Sequence, residues 1–219
     1  MSGRPAGGTA SGLRLSPMRS FEPTMVGRLE CAAWVAYYRR QWGRFLWAAV
    51  GMVRVGFRLS WPRTAYGAWL VLRANQLWAP VPDNDPGGAR RQMRRFYALV
   101  ARTHGETFDL DEAAWREVEW WRVHRYLQRE APDADGEPLV DALTALYAHV
   151  YGADPAAVRP AAVERAEAMR ISDRWVADGC DPASPALAVE RAALVRSYAA
   201  LLAAVHHLRH PTEIGRNAV

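Results

Sequence analysis

The sequence predicts an all-α protein folded as a single compact bundle of about seven helices. Apolar residues recur at three- and four-residue steps from about residue 24 to 208. No segment alternates apolar and polar residues with period two between hairpin turns. Pro, Gly and Asp stand where helix starts and stops require them. With 219 residues, 50% of them hydrophobic, the chain is long enough for a real core and too apolar for a disordered protein.

Residues 1–23 are rich in Gly, Ser, Pro and Arg and read as a mobile N-terminal tail, followed by a helical domain over 24–209 and a short tail over 210–219. The first helical pattern covers 24–59, as one helix or as two with a break near Gly43 or Gly51. Ser60-Trp61-Pro62 stops it, because the residue before a proline is pushed out of the helical region. A second helix fits 62–78 and ends at Ala79-Pro80-Val81-Pro82. Asp85 as N-cap and Pro86 at the first helical position launch a third, 86–104. Asp109 or Asp111 caps a fourth, which runs to about Glu130 with acidic residues in its first turn, where the helix dipole favours them.

A polar loop over 131–137 leads to a fifth helix, 138–151. Gly152-Ala153-Asp154-Pro155 then opens a sixth, 155–178, with Pro160 as a candidate break. Gly179 ends it, and Asp181-Pro182-Ala183-Ser184-Pro185 starts a seventh over 185–208, before His210-Pro211.

All 28 basic residues are Arg, and they are unevenly spread. Residues 28–102 hold 13 Arg against Glu30, Asp83 and Asp85, a net of +10, whereas 103–219 hold 12 Arg against 19 acidic residues, a net of −7. The helical domain therefore has a basic half, 24–104, and an acidic half, 105–209. Either the halves pair with each other, or the basic half meets an anionic partner.

Cys31 and Cys180 form neither a disulfide framework nor a zinc motif. The first dozen residues lack the apolar run of a signal peptide, so a cytoplasmic setting is expected. Segments 45–57 and 66–78 are too short for a membrane span and carry Arg54 and Arg73. Nucleic-acid binding is disfavoured, because no recognition helix, zinc motif or Gly-Arg tract accompanies the charge and the second half is acidic.

Candidate chemistry lies in carboxylates set among apolar residues. Glu30 shares a helix face with Trp34, Tyr37, Gln41, Phe45 and Ala48. A carboxylate there must be paired, protonated or bound to a cation. Asp173 continues the row Ala162, Ala166, Met169 and Val176, with a buried bridge to a first-half Arg or a ligand or acid/base role as its readings. On the fourth helix Glu117, Trp121 and His124 share one face, and Glu119 lies with Trp115, Val123 and Tyr126. Glu30, Glu119, His124, Asp173 and Tyr37 are the catalytic candidates. Glu30, Glu117, His124 and Asp173 are the candidate metal ligands, whose hard oxygens would suit iron, manganese or magnesium. The Glu-x-x-His pairs of di-metal bundles are absent.

Trp34, Trp42, Trp47, Trp61, Trp69 and Trp78 alternate with arginines in the basic half, a mixture that suits a core with a charged surface, a small-molecule pocket or a membrane interface. The functional expectation is a small-molecule enzyme with an interhelical pocket lined by carboxylates, His and aromatics, with a metal as an optional cofactor. The alternative is a non-catalytic helical protein that binds a small apolar ligand, an anionic membrane surface or a protein partner, with an oligomer compatible with either. The discriminating geometry is whether Glu30, His124 and Asp173 share a centre or each carboxylate finds its own guanidinium.

Overall fold

Four acidic side chains begin four of the helices. Glu22 accepts hydrogen bonds from the Thr24 and Met25 N–H groups, Asp85 from Gly88, Asp109 from Glu112 and Asp154 from Ala156. Each satisfies backbone donors that a helix start leaves unpaired. The computed structural model describes residues 16–132 and 134–206. Their helices are α1 (Pro23–Tyr38), α2 (Trp42–Phe57), α3 (Trp61–Trp78), α4 (Pro86–His104), α5 (Leu110–Arg129), α6 (Glu137–Tyr151), α7 (Pro155–Ala177) and α8 (Ala186–Val205), preceded by a single 3₁₀ turn, Pro17–Arg19. The described residues contain no strand.

The helices number eight because the segment read as 24–59 is two helices, broken at Arg39–Gln41 rather than at a glycine. Arg40 adopts φ +56°. The Arg40 N–H bonds to the Tyr37 carbonyl and the Gln41 N–H to that of Ala36, the Schellman pattern that closes a helix. The Arg40 guanidinium lies over the Tyr37 and Trp42 rings, 5.8 and 5.9 Å from their centroids, which holds an arginine in a position that usually takes glycine. Pro160 does not split α7. It stands in the second turn, where a proline removes only the bond to the Ala156 carbonyl.

Short connections make successive helices antiparallel neighbours. Each helix packs on the next in sequence, and α8 packs on α1, so the eight close into a ring. The basic and acidic halves are thus adjoining arcs, in contact along α4–α5 and α8–α1. Two ion pairs join them among the described residues. The buried bridge between them takes its acid, Glu30, from the basic arc and its Arg165 from the acidic one, and Arg94–Asp111 is an exposed pair.

The segment from Ser16 to Phe21, read from the sequence as tail, is packed. Ser16, Met18, Arg19 and Phe21 are buried. Arg19 pairs with Glu106 at 2.7 Å and donates to the Tyr151 carbonyl, and its own carbonyl lies 2.9 Å from Nδ1 of His206. Glu106, Tyr151 and His206 stand at the C-terminal ends of α4, α6 and α8, so the segment lies across that end of the ring. Residues 1–15 of the expected N-terminal tail, and residues 207–219 with the expected C-terminal tail, fall outside the described residues. No helix of the described residues is long and apolar enough to cross a membrane.

Ring closure depends on close approach at Gly27. A Cβ there would stand 2.8 Å from the Val195 backbone nitrogen of α8, whereas one at Gly56 in α2 would meet nothing within 4 Å. Gly27→Ala is expected to lower the melting temperature by several degrees, because α1 and α8 must separate. Gly56→Ala should be neutral or stabilising by about 0.5–1 kcal/mol, the ordinary helix gain. Paired thermal melts check this, and equal shifts would contradict the tight α1–α8 contact.

Candidate active site

The ring encloses two adjoining cavities. The deeper, a chamber of about 220 Å³, is lined from all eight helices, largely by apolar and aromatic side chains such as Phe45, Met52, Val53, Met93, Phe96 and Leu201. Phe21 belongs to its wall at the end crossed by the N-terminal segment. The second, a vestibule of about 140 Å³, lies toward the opposite end and is lined by Tyr37, Tyr38, Arg40, His124, Arg125, Gln128, Arg129 and Ser172 among others. Trp34, Phe45, Asn75, Trp120 and Trp121 line both, so the two share a wall.

The chamber has one polar wall. Arg165 donates to Oε1 of Glu30 and, at 3.1 Å, to the Tyr147 hydroxyl, with its guanidinium carbon 4.8 Å from the Trp120 ring centroid. Glu30 is 2% exposed, and its Oε2 has no hydrogen-bond partner among the described residues, like the Arg165 Nε. Burial works against the Arg165 charge, but Glu30 and the surrounding phenols hold its pKa well above the ordinary value. Beside them the Tyr97 hydroxyl donates to Glu117 at 2.6 Å. Burial raises the Glu117 pKa, with Arg165 opposing, and burial followed by Glu117 raises that of Tyr97. Glu117 therefore favours its protonated form more than an exposed glutamate does.

At the vestibule wall His124 meets Asp173, whose carboxylate lies behind it, toward the outer surface. The imidazole Nε2 lies 3.0 and 3.1 Å from the two carboxylate oxygens, and since a carboxylate only accepts, Nε2 carries the proton. The Gln128 amide donates to the same carboxylate at 2.6 Å and to the Tyr38 hydroxyl at 3.2 Å. His124 and Gln128 are one turn apart on α5, which aims both at one carboxylate of α7. The pair also borders an outer groove between α7 and the α5–α6 connection.

Arg125 donates to the Trp78 carbonyl at 2.6 Å and lies over that ring at 4.0 Å, and burial lowers its pKa while Tyr37 opposes. Arg40 bonds to the Ala79 carbonyl. Neither is paired with a carboxylate among the described residues.

Of the sequence candidates, His124 and Asp173 are together and Tyr37 lines the same vestibule. Glu30 and Glu117 lie in the chamber. Glu119 is on another face, paired with Arg122 at 2.7 Å. It stands two residues from Glu117, roughly half a helical turn away, so the turn that points Glu117 inward points Glu119 out. The four candidate metal ligands are not gathered: Glu30 is held by Arg165, Glu117 by Tyr97 and Asp173 by His124. No group of three His, Cys, Asp or Glu side chains among the described residues is placed to hold a metal ion.

The sequence reading missed Arg165, Gln128, Tyr97 and Glu190. Arg165 and Glu190 carried a signal: each interrupts an apolar row, Val158-Ala161-Arg165-Ala168 and Ala186-Glu190-Ala193-Ser197. No family model matches the chain, and no curated protein or solved structure matches it.

Proposed function

We propose that the protein is an enzyme acting on a small, largely apolar molecule with an anionic head. The apolar body would occupy the chamber and the head would sit in the vestibule against Arg40 and Arg125. The observation that carries this reading is the gathering of the His124–Asp173 pair and these two arginines beside an apolar chamber whose other end is covered. Removing apolar surface from water supplies affinity, and the arginines supply orientation.

His124 is the acid/base group in this reading. Asp173 holds the imidazole in one tautomer and stabilises the imidazolium formed when His124 takes a proton. Gln128 is a positioning residue through its hydrogen bond to the Asp173 carboxylate, and the Tyr38 hydroxyl holds the Gln128 amide in place.

Two measurements test the reading. Calorimetric titration with decanoate and decanol is expected to show tighter binding of the carboxylate, a preference lost in Arg40→Gln/Arg125→Gln. A metabolite extract incubated with the protein and compared by mass spectrometry should lose at least one amphiphilic component, and His124→Gln should slow that loss by about 10²–10⁴-fold while still binding decanoate. Decanoate binding with an extract left unchanged by the unaltered protein would leave the non-catalytic carrier instead. No binding of either probe would overturn both readings.

A further inference from the structure

The outer face of α2 and α3 gathers four of the six large aromatic side chains that are exposed among the described residues. Trp47 is 78% exposed, Trp61 65%, and Tyr66 and Trp69 46% each. Tyr66 and Trp69 stack at 6.3 Å and present a joined aromatic surface. Arg44 and Arg54 on α2, Arg58 just after it, and Arg63 and Arg73 on α3 are exposed among them, with the Arg54 guanidinium 5.1 Å from the Trp61 ring centroid.

None of these five arginines forms an ion pair among the described residues. Arg44 and Arg73 bond to the side-chain amides of Gln41 and Gln76, and Arg54 to the Leu59 carbonyl. From residue 31 to 82 the chain holds seven Arg and no Asp or Glu. Glu22 borders Arg54 and Arg58 and is engaged by the first N–H groups of α1.

We infer that this face docks the protein on an anionic lipid bilayer, with Trp47, Trp61, Tyr66 and Trp69 seated at headgroup depth and the five arginines meeting lipid phosphates. Indoles and phenols prefer the bilayer interface, where the ring is apolar and its N–H or O–H stays hydrated. An arginine cluster without counter-charges is drawn to an anionic leaflet. The two features occur on one pair of adjacent helices, on the outside of the ring, where the four aromatic rings remain 46–78% exposed. A nucleic acid would use the same charge, but it would need aromatic rings along a groove that follows a strand. These rings stand on the outward surface of two helices. The inference is independent of the enzymatic reading and holds for a carrier as well.

Co-sedimentation of the full chain with vesicles tests it. Phosphatidylcholine vesicles containing 30% phosphatidylglycerol, a lipid fraction chosen on the order of a natural anionic leaflet, are expected to bind the protein, and pure phosphatidylcholine vesicles far more weakly. Arg58→Gln/Arg63→Gln/Arg73→Gln should reduce partitioning on the order of 100-fold at low salt. Trp47→Ala/Trp61→Ala/Trp69→Ala should reduce it on the order of tenfold or more. All six positions are exposed, and unchanged melting temperatures confirm that the variants fold. Brominated lipid should quench the tryptophan fluorescence of the wild type and lose most of that quenching in the tryptophan variant. Absence of binding, equal binding to both vesicle types, or displacement of the vesicles by a single-stranded RNA 20-mer (about the span of several single-strand sites) would each overturn it.

Discussion

Arg165→Met is expected to destabilise the protein by about 3–5 kcal/mol, the cost of leaving a buried carboxylate without its partner. Glu30 is 2% exposed and pairs with no other cation among the described residues, so the deletion leaves its charge buried without a partner. The same arginine offsets the burial of Glu117 and donates to Tyr147, so the deletion strands more than one group.

For a chain of this length the loss corresponds to about 10 °C in melting temperature. Glu30→Gln/Arg165→Met should recover much of it, because removing both charges of a buried pair is often close to neutral. Urea denaturation of the two variants decides the point. A loss under about 1 kcal/mol for Arg165→Met would mean that water reaches the pair freely, as at a surface bridge.

That pair shows how far a single sequence reaches. Helical periodicity placed Glu30 on an aromatic face and Asp173 in an apolar row, and both positions do face the interior or its mouth. The partners could not be read, because Arg165 lies 135 residues from Glu30 and the acidic arc offers many arginines. For Asp173 the sequence leaves open a first-half guanidinium or a ligand or acid/base role, and the side chain meets an imidazole of the acidic arc, across the α5–α7 gap. Periodicity reports which way a side chain points along its own helix. It does not report which helix lies opposite.

Ring closure was hidden for the same reason, since nothing local in α1 or α8 names the other as neighbour except the tight fit at Gly27. The α1–α2 break was hidden differently. Its left-handed residue is Arg40, held by two aromatic rings, where sequence rules look for Gly. The packed Ser16–Phe21 segment was concealed by polar composition, and its anchoring depends on one distant acid, Glu106, that no spacing rule connects to Arg19.

Glu190 gives the clearest pH signature expected of this protein. Its side chain is fully buried on α8 beside the Cys31 thiol and the Ser172 hydroxyl, and it makes no ion pair among the described residues. Burial raises its pKa from 4.5 to about 7, while Cys31 and Ser172 pull weakly the other way and Glu30 and Asp173 add to the rise. Below pH 4.5 the group is protonated whether the chain is folded or not, and it contributes no pH dependence. Between 4.5 and about 7 the unfolded chain releases the proton and the folded chain keeps it. The folded state then binds more protons, so stability falls as pH rises through this window, by about 1.4 kcal/mol per unit and about 3 kcal/mol in all. Above about 7 the loss is complete, because both states are ionised.

Glu190→Gln keeps the shape and removes the titration. Its stability should match the wild type near pH 4 and exceed it by about 3 kcal/mol near pH 8. Urea midpoints at the two pH values, taken as the difference between variant and wild type, isolate this residue from every other carboxylate. An unchanged difference would show that the Glu190 charge is compensated in the folded state. Because Ser172 lines the vestibule, the same substitution also reports whether a proton stored behind that wall matters to the His124–Asp173 pair. If it does, the pH profile of extract turnover shifts with the variant.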